Sequence, residues 1–168
     1  MDIVVRHLKK SERTWAASLL RDRWGSEAIV SRGKLLQADR LPALLAEHKG
    51  ERLGLLTYTI VSEACEIVSL DSLVEGQGVA SALLQALENE ANKAGCKRLW
   101  LVTTNDNTHA IDFYRRRGFT LRAIHHGAME SSRKLKPEIP LQNESGVAIE
   151  DEWEFERFLS KLNFSGIG

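Results

Sequence analysis

Two glycines, Gly76 and Gly78, stand between a run of β-forming residues and a long amphipathic stretch. That placement suits phosphate binding. The first N–H groups of a helix have no intrahelical acceptor, and the helix dipole adds partial positive charge there. Glycines let the backbone come close to an anion and take up positive φ, and Ser81 adds a hydroxyl. Glu75-Gly76-Gln77-Gly78-Val79-Ala80 therefore reads as a pyrophosphate cradle that needs neither Lys nor Arg. The plainer alternative is a tight loop with no ligand. Other phosphate motifs fit poorly. Gly76-x-Gly78-x-x-Ser81 lacks the third glycine of a dinucleotide fingerprint, and the next strand ends in Thr103-Thr104, with no acid before Asp106. A Walker A loop would need Gly-Lys-Ser/Thr, which is absent.

The surrounding elements follow from periodicity. Ile3 to Leu8 reads as a strand. Ser11 is placed to cap a helix, with Thr14 where a capping box prefers Glu; Trp15, Leu19 and Leu20 follow at helical spacing up to Gly25. Residues 28–41 read as a loop or short strand. Ala43 to His48 is a strand turned at Lys49-Gly50. Leu53 to Val61 and Cys65 to Val74, linked by Ser62-Glu63, make an antiparallel hairpin. From Val79 to Ala94 the apolar residues form one helical stripe, which Gly95 ends. Arg98 to Thr103 is a buried strand. Asn105-Asp106-Asn107 caps a short helix, Thr108 to Arg117, stopped by Gly118. Phe119 to Ile124 is another strand, and Met129 to Lys136 one or two helical turns.

The tail reads two ways. Val147, Ile149, Trp153 and Phe155 share strand parity, whereas Phe155, Phe158, Leu159 and Leu162 share a helical face. A strand to about Arg157 is preferred. Glu150, Glu152, Glu154 and Glu156 would then form one solvated outer face, with attraction of a cationic substrate as the less favoured alternative.

Lys plus Arg and Asp plus Glu number 23 each, so the net charge is zero, without the basic surplus expected of a nucleic-acid binder. No apolar run approaches the ~20 residues of a membrane span, and Met1-Asp2 leads straight into a strand without a signal-like leader. A cytoplasmic location is expected. Cys65 and Cys96 lie in apolar runs, too few for a disulfide scaffold and without zinc-ligand spacing; they read as buried thiols.

From the cradle onward the sequence resembles the GNAT superfamily of N-acetyltransferases. The family signature, Arg/Gln-x-x-Gly-x-Gly/Ala, is met by Gly78 and Ala80, followed by Ser81-Ala82-Leu83-Leu84. A second segment, Asn-x-x-Ala with Tyr four residues later and then Gly-Phe, is met by Asn107, Ala110, Tyr114 and Gly118-Phe119. The departure is Glu75 at the first signature position. An anion there repels a pyrophosphate, subject to screening, although the family uses that position mainly for its backbone N–H.

The resemblance implies an α/β (α+β) fold: a mixed, mainly antiparallel sheet flanked by helices and splayed at the cofactor-binding strand, with residues 1–168 as one acetyltransferase domain. It implies acetyl-CoA as co-substrate and no metal. Cofactor contacts map to Leu73, Val74, Gly76, Gln77, Gly78, Val79, Ala80, Ser81, Asn107 and Tyr114. Tyr114 suits the acid that protonates the departing thiolate, against the alternative of a core tyrosine. Glu66 and Asp71 are candidate bases for the attacking amine. They differ by an odd number, so a regular strand would face them to opposite sides, which a bulge would change. His109, His125 and His126 are alternatives, and Arg115-Arg116-Arg117 could meet a phosphate. The implied activity is acetyl transfer to a small-molecule or protein amine, in a monomer or homodimer without nucleic acid or membrane partners. The rival is a non-catalytic acyl-CoA-binding sensor.

Overall fold

The computed structural model describes residues 1–160; Leu162, invoked for a helical tail, lies outside the described residues. In chain order the elements are β1 (Val4–His7), α1 (Arg13–Trp24), β2 (Ala28–Ser31), β3 (Lys34–Gln37), β4 (Ala43–His48), β5 (Glu51–Val61) and β6 (Ala64–Ser72). They continue as α2 (Val79–Lys93), β7 (Arg98–Thr104), α3 (Thr108–Arg116), β8 (Thr120–His125), α4 (Ala128–Leu135) and β9 (Glu152–Phe158). Seven strands form one sheet in the order β1-β4-β5-β6-β7-β9-β8, and β2 pairs with β3 as a separate hairpin. Every pairing is antiparallel except β6 with β7. The fold is thus mixed, mainly antiparallel and flanked by helices, as the sequence implied.

The two faces of the sheet carry separate cores. On one, the α2 stripe of Val79, Leu83, Leu84, Leu87 and Ala91 joins Leu56, Tyr58 and Ile67 in a cluster that also takes in Tyr114 and Phe119. Leu83 and Leu87 are fully enclosed, and each contributes roughly 1.5–3 kcal/mol by leaving water. On the other face, Ala16, Leu19 and Leu20 of α1 pack with Leu45, Leu55 and Val68. Cys65 and Cys96 are buried and unbridged; burial pushes the Cys65 thiol up to about 12, so it carries no reactive thiolate.

Two local readings need correction and a third gains detail. Ser11 caps nothing: Lys10–Glu12 is a 3-10 turn and α1 starts at Arg13. The buried Glu12 carboxylate accepts the Lys9 N–H at 2.9 Å and so closes the 3-10 turn, while α1 has no side-chain cap. Residues 28–41, read as a loop or short strand, hold two short strands, β2 and β3, in a hairpin turned at Arg32-Gly33, where both residues have positive φ, followed by a 3-10 turn at Ala38–Arg40. The last strand starts at Glu152 and not near Val147. Before it, Asn105 Oδ1 accepts the N–H groups of Glu150 and Asp151, both at 3.0 Å, and holds that stretch out of the ladder.

The acidic face of that strand is the largest correction. Glu152 and Glu154 are 3% and 4% exposed. The strand lies between β7 and β8, paired on both edges, so these carboxylates are covered instead of solvated. Glu152 takes Arg32 Nη1 at 2.8 Å. Glu154 takes Arg122 at 2.7 Å and His125 at 3.1 Å. Glu156 takes Arg98 at 2.8 Å.

A comparable ion cluster ties β1 to β5. Glu12 accepts Arg6 at 2.8 and 3.1 Å and Arg52 at 3.2 Å. The Arg6 hydrogen bonds hold the Glu12 carboxyl down at about 2, against about 4.3 in an unfolded chain. Stability from a depressed carboxyl is complete above the unfolded value and lost as pH falls through the folded one. Glu12→Gln should cost about 1–3 kcal/mol at neutral pH. In urea unfolding, its gap from the parent protein should stay constant down to about pH 5 and close between about pH 4.5 and 2. A gap as large at the acid end as at neutral pH would contradict this.

Candidate active site

The strands β6 and β7 pair only through Ala64–Arg98, Cys65–Leu99 and Glu66–Trp100. Past Glu66 they part, while β6 stays paired to β5 as far as Ser72. A cleft of about 940 Å³ opens in the gap. Its walls come from both strands, the start of α2 and the inward side of α3.

The register of β6 explains what faces this cleft. Thr57 lies opposite Ser69 and Tyr58 opposite Ile67, leaving Val68 as an extra residue. This bulge shifts the side-chain phase. Asp71 lies opposite Leu55 and Glu66 opposite Thr59, an even separation on β5, so the two acids share one face. Asp71 Oδ2 accepts the Trp24 indole N–H at 2.9 Å, and Glu66 Oε2 accepts the Ser31 hydroxyl at 2.5 Å. Burial raises both carboxyls above their ordinary values, and each hydrogen bond opposes the rise.

The backbone alternation also decides which groups point into the gap. The Leu73 N–H donates to the Leu53 carbonyl at 2.8 Å, so it is unavailable as a pantetheine partner. In an antiparallel ladder successive residues alternate sides. Leu70 and Ser72 therefore turn their backbone groups toward the gap, and Val74, in the bend past the strand, lines it. The Val74 carbonyl accepts the Ser72 hydroxyl at 2.5 Å.

At the end of β6 the chain turns through Gly76 (φ 70°) and Gly78 (φ 78°), a backbone state that costs L-residues strain. The first intrahelical bond of α2 runs from the Ala82 N–H to the Gly78 carbonyl at 3.0 Å. The N–H groups of Val79, Ala80 and Ser81 have no intrahelical acceptor, and these residues line the cleft with Gly76 and Gly78. Gln77 is exposed and outside that lining. The helix start is pressed onto the sheet: a Cβ on Gly54 would lie 2.7 Å from Val79 Cγ1 and 2.8 Å from the Asp71 carbonyl. Glycine at 54 thus fixes how closely α2 approaches β5.

Arg117, just past α3, is the cation at this turn. Its guanidinium lies 3.5 Å over the Phe113 ring, donates to the Phe113 carbonyl at 2.9 Å and to the Ser81 hydroxyl. It lines the cleft together with the exposed Glu75. No carboxylate pairs with it among the described residues. Burial lowers its affinity for a proton, yet a guanidinium stays charged. The sequence displayed an Arg115-Arg116-Arg117 run without telling which member turns inward; Arg115 and Arg116 are exposed.

Tyr114 is 6% exposed, edge-on to Phe113 and Phe119 at 5.1 and 5.2 Å. It lines the cleft, and its hydroxyl has no hydrogen-bond partner among the described residues. Burial and the nearby Asp71 charge hold the phenol well above its ordinary value, so it is a proton donor at neutral pH. Asn107 caps α3: its Oδ1 accepts the Ala110 N–H at 3.2 Å and its Nδ2 donates to Thr103 Oγ1 at 3.1 Å. His109 is exposed at the cleft wall, whereas His125 and His126 line neither the cleft nor the recess beside it.

The arrangement can hold a pyrophosphate at the α2 start, run an extended arm along the free edge of β6, and bring a carboxylate and a phenol to its end. Comparison with known proteins gives the family and the fold. Residues 8–119 match the family described as Acetyltransferase (GNAT) family. The chain is 42% identical over 137 residues to the uncharacterized protein YdhI of Bacillus subtilis (strain 168), covering 81% of this chain and 86% of that one. The IAA acetyltransferase from Bacillus cereus ATCC 14579 superposes with a TM-score of 0.72 at 18% identity, over 94% of this chain and 100% of its own. A GNAT family acetyltransferase from Elizabethkingia anophelis, solved with acetyl-CoA bound, gives 0.66 at 17% identity, over 94% and 98%. The chain belongs to the GNAT acetyltransferase family.

Proposed function

We propose that this member of the GNAT family transfers the acetyl group of acetyl-CoA directly to an amine. The observation that carries the reading is the parting of β6 from β7 toward a helix start with free N–H groups. The N–H groups of Val79, Ala80 and Ser81 hold the pyrophosphate, and Arg117 supplies the positive charge that Glu75 withholds. Backbone groups of Leu70, Ser72 and Val74 pair with the pantetheine arm. Asn107 positions α3 by its cap, keeping Tyr114 at the cleft.

Asp71 accepts a proton from the attacking ammonium, directly or through water. The neutral amine then attacks the thioester carbonyl, a backbone N–H at the free edge of β6 stabilises the oxyanion, and a C–N bond replaces the C–S bond. Tyr114 gives its proton to the departing sulfur, the second proton that leaves nitrogen as the amide forms restores the phenol, and the proton held by Asp71 passes to solvent. Glu66 lies farther along the strand from Tyr114 and is not assigned as the base.

Release of free thiol with a panel of amines tests the reading. Burial raises the Asp71 carboxyl, so the acid limb of kcat should lie above the ordinary carboxylate range, with activity falling as Asp71 becomes protonated. Asp71→Asn should remove that limb and lower kcat by about 10²–10⁴. Tyr114→Phe should lower kcat with CoA binding retained. CoA binding without turnover on any amine would instead favour the sensor reading.

The cradle has its own test in calorimetric titration with CoA. Arg117→Gln should weaken binding about tenfold, equivalent to about 1.4 kcal/mol, and reduce its salt dependence. Glu75→Gln should tighten it. Unchanged affinity in both variants would remove these side chains from the phosphate site.

A further inference from the structure

A smaller recess of about 100 Å³ adjoins the cleft and shares Trp24, Val68 and Thr103 with it. Ile29 and Val30 of the β2–β3 hairpin and Met129 of α4 give it apolar walls, and Glu66 lines it. Lys136, at the end of α4, ties this wall together by donating to the Trp24 and Ala28 carbonyls at 2.7 and 2.9 Å.

Glu66 is 7% exposed. Ser31 satisfies one of its oxygens; the other has neither a hydrogen bond nor an ion pair among the described residues. Its acidic neighbours are better served, since Glu152 has Arg32 and Glu154 has Arg122 and His125. Among the cations of the described residues, only the Lys34 charge favours the ionised form of Glu66, without an ion pair; a carboxylate so deeply buried with no paired cation is costly, and a cation arriving with a ligand would relieve that cost. The Val68 bulge places Glu66 on the face of Asp71, four β5 positions away, a span of about 13 Å along the strand. The Trp24 side chain bridges the interval: it lines the recess and donates to Asp71.

We infer that the acceptor is a small aliphatic diamine or polyamine. Its reacting amine is presented at Asp71, and a second ammonium group enters the recess against Glu66 and the indole of Trp24, which offers a cation–π contact. The enclosed volume suits an ammonium and a few methylenes, and excludes a folded peptide segment. The second ammonium keeps its proton and takes no part in bond making. This inference rests on the transferase reading above.

The test uses the intact protein with acetyl-CoA and compares n-butylamine, a series of α,ω-diamines of increasing length, and spermidine. With the parent protein, kcat/KM should rise with chain length to an optimum and exceed that of n-butylamine about thirtyfold or more. Glu66→Gln should bring the polyamine-to-monoamine ratio near one, chiefly through KM. A flat length dependence would overturn the proposal without any variant, as would a Glu66→Gln loss of kcat that is equal for both amines. Melting shifts of the CoA complex with the same diamines separate the two readings. Length-dependent shifts without turnover keep the recess and sink the transferase; turnover without length dependence keeps the transferase and sinks the recess.

Discussion

The parting of two neighbouring strands is the constraint on which the rest depends. Backbone N–H and C=O groups are obligatory hydrogen-bonding groups, and an interior ladder that stops after three residue pairs leaves a row of them without strand partners. The fold answers at every side. The far edge of β7 is closed by β9, the far edge of β6 by β5, and the open end is met by the first turn of α2. What remains is a slot edged by unpaired backbone groups and walled largely by apolar side chains, and such a slot is suited to an extended, amide-bearing ligand.

The bulge at Val68 acts on the same slot. By inserting one residue it brings Glu66 and Asp71 into phase, so both acids turn to the face covered by α1 and the β2–β3 hairpin. The opposite face, packed under α2, stays apolar. The chain is neutral as a whole, but its charges are sorted. Most buried acids are matched by arginines, as Glu12, Glu152 and Glu154 are. Glu66 and Asp71 have neutral donors instead, and Arg117 at the other end of the cleft has no carboxylate partner among the described residues. These unmatched charges mark where ligand charge would belong.

Much of this was legible in local sequence. The glycine turn, the α2 stripe, the Asn107 cap and the β5–β6 hairpin each depend on residues close in the chain, and each was found near its expected bounds. What escaped depends on distant partners. Parity put Glu152 and Glu154 on a common side but could not show that β9 inserts between β7 and β8, which buries them. The same limit hid the commitment of the Leu73 N–H to Leu53 and the inward turn of Arg117 among three successive arginines. The Ser31–Glu66 and Trp24–Asp71 contacts join segments 35 and 47 residues apart. No periodicity within either segment encodes them.

Thermal unfolding in the presence of acetyl-CoA, with NAD and a Gly78→Glu variant alongside, addresses the central claim most directly. A ligand at about 100 times its Kd adds about 2.7 kcal/mol of stability, which is roughly 5–10 °C for a chain of this size. The account predicts such a shift with acetyl-CoA, none with NAD, and none in the variant, whose added side chain would stand at the free N–H groups of α2. An unshifted transition at millimolar acetyl-CoA would contradict it, because the slot between β6 and β7 would then have no coenzyme to hold.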